Sequence, residues 1–128
     1  MGRKIVEDSE DQRVDENALC PGLRDYLIAQ ARNNHWSNYR LHSACLRLPA
    51  PEYYANRPSF FGSIHTHLDH IVFVDWLYLG RFTGEQYLPA DVGNELHSEL
   101  APLMEDQVSA DRVLIEYCEA ATPETLAS

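Results

Sequence analysis

The sequence predicts an all-α protein, a helical bundle. Apolar residues recur at a period near 3.6 through three long stretches. No stretch alternates apolar and polar residues at the period of a strand. Glycine and proline gather mainly between the three stretches, where chain breaks belong. A length of 128 residues suffices for one domain around one core.

The elements follow in chain order. Residues 1–18 are charged and nearly devoid of apolar side chains, which predicts a disordered acidic arm, dispensable for folding, ahead of a domain at 19–128. Residues 22–47 read as the first helix, with Pro21 at its start. Its stripe runs through Leu27, Ala31, Asn34, Asn38, Leu41 and Cys45, with Trp36 and Tyr39 widening the apolar face. An asparagine on such a stripe must hydrogen-bond to another element, and Asn38 is expected to do so. Pro49 and Pro51 stop this helix, and 48–59 reads as a loop. Helical spacing resumes over 92–121, where Leu100, Leu103, Gln107, Asp111, Leu114 and Cys118 share a stripe and Pro102 is expected to divide a short helix from a longer one.

The stretch at 60–82, FFGSIHTHLDHIVFVDWLYLGRF, is the most apolar in the chain. Ser63 is placed to cap a helix over 63–80, which Gly80 or Gly84 would end. Apolar positions cover most of its circumference, so it is expected at the centre of the bundle. It is too short, and too interrupted by His and Asp, to span a membrane. His70 and Asp75 lie among apolar neighbours and need partners. A neutral imidazole there suits Zn²⁺ or a similar divalent metal. The plainer reading is ordinary hydrogen bonding: His65 with Asp69 on the helix surface, and His67 with His70 sharing a face.

Composition narrows the function. A formal charge of −10 argues against a nucleic-acid backbone and against an anionic membrane surface. Residues 1–18 contain no apolar core of the kind a signal peptide needs. Cys20, Cys45 and Cys118 are odd in number and far apart, which predicts reduced thiols packed in a cytoplasmic protein.

Certain runs carry a resemblance. HWSN at 35–38, LPAPEYY at 48–54 and FFGSIHTHLDHIVFVDWLYLGRFTG at 60–84 resemble the DinB-like, DNA-damage-inducible family. The matching residues are Trp36, Ser37 and Asn38; Phe61, Gly62, Ser63, Ile64 and His65; Leu68, Asp69 and His70; then Asp75 and Trp76. SADR at 109–112 is similar to the charged segment of the family's third helix. The resemblance implies a four-helix bundle of which this chain holds three main helices. It implies a metal site of Zn or Ni type, with one ligand from the second helix and two from the fourth. His70 matches the second-helix ligand; the other two have no counterpart here.

The resemblance further implies a metal-dependent hydrolase or thiol transferase. The alternative is a non-catalytic helical module that covers the groove left by the fourth helix with a partner or a second copy. That groove is expected around His70, Val74, Leu77 and Tyr78, and the simplest assembly is a homodimer.

Overall fold

The structure, a computed structural model, describes residues 21–91, 93 and 95–127. The acidic arm and Cys20 lie outside the described residues. Five helices follow one another: α1 (Pro21–Leu46), α2 (Ala50–Tyr54), α3 (Ile64–Thr83), α4 (Leu100–Glu119) and α5 (Pro123–Ala127). The described residues contain no strand, and no helix among them is long and apolar enough to cross a membrane.

The ends of α3 are set by local chemistry. Ser63 is extended, and its hydroxyl accepts the Thr66 amide at 3.0 Å. Gly84 ends the helix in the left-handed region at φ 80, and its amide donates to the Gly80 carbonyl at 2.8 Å. Gly62, just upstream, has φ 95, and a β-carbon there would lie 2.8 Å from the Asn56 side-chain oxygen. That turn brings the chain from α2 into α3.

Two short helices were not legible as such. α2 falls in the segment expected to be a loop. Its prolines do not oppose it, because Pro51 sits in the first turn, where amides lack intrahelical partners anyway. α5 starts at Pro123, and the Thr122 hydroxyl accepts the Thr125 amide. Pro102 does not divide a helix either. It occupies the first turn of α4, and the described residues from 93 to 99 are irregular.

The centre of the bundle is α4, not the more apolar α3. α4 packs along both α1 and α3. It buries Leu100, Leu103, Gln107, Ala110, Asp111 and Cys118, a continuous stripe at helical spacing. Leu100 and Leu103 join Cys45, Tyr53, Leu68 and Val72 in the apolar core. α3 turns His65, Leu68, Asp69, Val72 and Leu79 inward. Its opposite side leaves Ile71, Leu77, Tyr78 and Phe82 between 42% and 53% exposed. A helix apolar on two sides has only one side covered here. Trp36 and Tyr39 likewise stack on each other at the surface, 6.0 Å between ring centroids. Cys45 and Cys118 are buried free thiols, as packing residues should be.

These differences in burial predict different costs. Leu103→Ala removes a side chain with no exposure and should destabilise the protein by about 2–5 kcal/mol in urea unfolding. Phe60→Ala, at a residue 91% exposed, should change stability by no more than about 0.5 kcal/mol.

Candidate functional site

Two polar clusters flank α3, and they do different work. The first ties the segment ahead of α4 to the bundle. The buried Asp69 carboxylate accepts the Leu96 and His97 amides at 2.7 and 2.9 Å. His65, also buried, is 2.6 Å from the His97 carbonyl through Nε2 and 2.7 Å from the Tyr53 hydroxyl through Nδ1. A carbonyl only accepts, so Nε2 carries the proton and Nδ1 accepts from Tyr53. Burial pushes the Tyr53 hydroxyl well up, with smaller contributions from Tyr54, Cys45 and Asp69, which keeps it a donor. The His97 ring meets Asp106 at 2.7 Å, and Asp106 also accepts the Trp76 indole N–H at 2.9 Å. The Tyr54 hydroxyl accepts the Leu100 amide, supplying the cap that Glu99 does not. The expected surface bond between His65 and Asp69 is therefore absent. Both side chains point inward, and each is committed to the 96–97 backbone.

The second cluster centres on Asp111, which is 2% exposed. Its carboxylate accepts the Asn38 amide at 3.0 and 3.2 Å, the Gln107 amide at 3.0 Å and the Asn34 amide at 3.4 Å. His35 donates to it from Nδ1 at 3.1 Å. The Gln107 nitrogen has two hydrogens, and it also donates to Asp75 at 2.8 Å. Asn38 thus has the inter-helix partner its position demanded, and so does Asp75. Burial pushes the Asp75 carboxyl up; the Gln107 bond works against this, and the Asp111 charge adds to it. Buried His42 is pushed down by desolvation, against the pull of Asp111. Asp75 and Asp111 line a cavity of about 80 Å³ together with Asn34, Leu79, Tyr78 and Phe82.

His70 is not internal, as its place on the helical wheel suggested. It is exposed and stacks on Phe61, with ring centroids 4.3 Å apart. Phe61, half-buried just ahead of α3, covers one face of the imidazole. His67 packs edge-on against the same ring and reaches the Ser59 hydroxyl at 3.1 Å. The remaining imidazoles belong elsewhere: His35 with Asp111, His97 with Asp106, His42 in the interior. Among the described residues, no three His, Cys, Asp or Glu side chains come together to hold a metal ion. His70 alone does not make such a site.

Sequence reasoning undervalued Asp111 and Gln107. Both were on the apolar stripe of α4, as Asn34 and Asn38 were on that of α1. Amides on one helix and a carboxylate with an amide on the next were the available signal of a shared buried network.

Two outcomes test this network. Asn38→Ala should cost about 1–3 kcal/mol in urea unfolding, because it strips the best-placed donor from a buried carboxylate. Asp75→Asn should have a pH signature. With the folded Asp75 carboxyl raised above its ordinary 3.8, the folded chain holds this proton more tightly than the unfolded chain. The associated stability is complete below 3.8 and is lost as pH rises through the folded value. Asn keeps the bond from Gln107 and lacks this titration. The variant should gain on the parent as pH rises above 3.8, and the gain should level off once the pH has passed the raised folded value. Parallel urea midpoints across that range measure it, and superimposable pH profiles would show Asp75 to be well solvated.

No curated protein and no solved structure matches the chain. The model of the DinB family matches residues 25–127, which takes in α3, α4 and nearly all of α1. By that match, and with an all-helical bundle to support it, the chain belongs to the DinB family.

Proposed function

We propose that this DinB-family protein is a helical module whose open face is completed by a helix from outside the described residues. A twofold second copy is the simplest source of that helix. One observation carries the reading. Ile71, Tyr78 and Phe82 lie at spacings of seven and four on α3, form one stripe with Asp75, and are 42–53% exposed. Asn34 of α1 lines the same cavity as Asp75, Tyr78 and Phe82. An exposed apolar stripe of this length on α3 supports an interaction surface there.

A metal-dependent hydrolase or thiol transferase is the second reading, and the accessibility of His70 favours it. A bound Zn²⁺ or Ni²⁺ would lower the pKa of a water or a thiol. A catalytic zinc takes three protein ligands and keeps one position open. This chain's residues offer His70, so the other ligands would have to arrive with the covering helix. Buried, unpaired Cys45 and Cys118 support a reducing, cytoplasmic setting for either reading.

Light scattering and metal analysis separate the two. The parent chain should run as a dimer, and Tyr78→Glu should be a folded monomer, because the carboxylate is tolerated on the exposed face and not in an interface. Metal bound in stoichiometric amount, and lost with His70→Ala while helix content is kept, would favour the enzyme. A parent chain that stays monomeric at its solubility limit and binds no metal would defeat both readings.

A further inference from the structure

Asp111 and His35 are paired in the layout of a catalytic dyad. Asp111 is 2% exposed, and the Asn34, Asn38 and Gln107 amides fix its carboxylate. That carboxylate accepts the His35 Nδ1–H at 3.1 Å. A carboxylate only accepts, so the proton of a neutral imidazole is held on Nδ1 and Nε2 keeps its lone pair. An aspartate that orients a histidine in one tautomer leaves the far nitrogen ready to take a proton from a reacting group. His35 Nε2 has no hydrogen-bond partner among the described residues. Holding Asp111 in register uses one ring nitrogen only.

The ring opens on a groove of about 210 Å³ between α1 and α4. His35 lines this groove and Asp111 does not, so the edge it presents is the one away from the carboxylate. Val108 and Ile115 give the groove an apolar wall with room for a short acyl chain. Arg112 is exposed and in no ion pair with another described residue, and it brings guanidinium N–H donors to the same groove. The other charges there leave no positive surplus. Glu119 is paired with Arg32 at 3.2 Å, and Glu116 offsets Arg112. With −10 on the whole chain as well, an anionic substrate is disfavoured.

We propose that this groove is a hydrolytic site for short, uncharged carboxylic esters, with His35 as general base and Asp111 as its positioning residue. His35 Nε2 takes a proton from a water molecule as the water oxygen bonds to the ester carbon. The carbonyl electron pair moves onto its oxygen, where Arg112 meets the negative charge. The pair then returns, the bond to the leaving oxygen breaks, and His35 gives its proton to that oxygen. Acid and alcohol depart, and the imidazole is neutral again. The site is built on α1 and α4 and is independent of what covers α3 and of any metal at His70.

Hydrolysis of p-nitrophenyl butyrate by the intact chain, with EDTA present, tests this. The parent should exceed His35→Gln at least about tenfold in kcat/KM, although five of the six histidines remain in the variant. Glutamine keeps an amide that can donate to Asp111, so the urea midpoint should change little. Arg112→Gln, at an exposed position outside the buried network, should lower kcat about tenfold and leave KM within about twofold, since the oxyanion exists only after attack. A purely structural arginine would not produce that split. The hemisuccinate ester, in which a carboxylate replaces the terminal methyl of the butyrate, should react at least about fivefold more slowly. A parent that matches the buffer rate, or a folded His35→Gln as active as the parent, overturns the proposal. So does activity that EDTA abolishes, which would return the hydrolysis to a metal. Preference for the hemisuccinate overturns the substrate class, and an Arg112→Gln effect confined to KM overturns the role of Arg112.

Discussion

The architecture depends on one buried carboxylate. Asp111 projects from α4 and is held by Asn34, His35 and Asn38 of α1. Through Gln107 it is linked to Asp75 of α3. All three long helices therefore meet at one charge. Apolar contacts tolerate sliding by a turn, because one leucine-sized hole resembles the next. A carboxylate that must receive several donors allows one register only. The apolar core at Tyr53, Leu68, Val72 and Leu103 supplies burial, and the Asp111 network decides how α1 and α4 are aligned while they achieve it.

Much of this fold was legible in the sequence, and the reasons are local. The long helices appear close to where periodicity placed them, because amphipathic spacing is set by each helix's own contact face. Ser63 and Gly84 were readable because a cap and a left-handed end need particular residue types within a few positions. The centre of the bundle was not legible. Ranking helices by apolar content favours α3, yet α4 carries the buried side chains and contacts both neighbours. Apolar content measures how much cover a helix wants, and α3 has less than it wants. His65 and Asp69 were misjudged for a related reason. Their spacing of four fits a surface pair, but the 96–97 backbone comes from a distant segment that periodicity does not see.

The candidate site was legible in part. Asn38 and Asp75 declared themselves as polar residues on apolar stripes, and each has the partner that such a position requires. His70 was identified by resemblance and by its wheel position, and the structure separates the two grounds. The wheel placed it inside; the bundle places it outside, on Phe61. An exposed imidazole is a sound ligand only if other ligands come to it. The side chains that stand nearest offer an aromatic ring and a groove with Phe73 and Leu96, and of the residues lining that groove only Asp69 is anionic, already committed to two backbone amides.

Two features of α3 weaken the single chain. Exposed Ile71, Tyr78 and Phe82 contribute little to folding while they face water, and their burial would contribute on binding. Asp75 and Asp111 share the Gln107 amide, and the Asp111 charge disfavours a charged Asp75. The same few residues of α3 therefore contribute less to the stability of the isolated chain than their apolar surface and hydrogen-bonding groups would allow if they were covered.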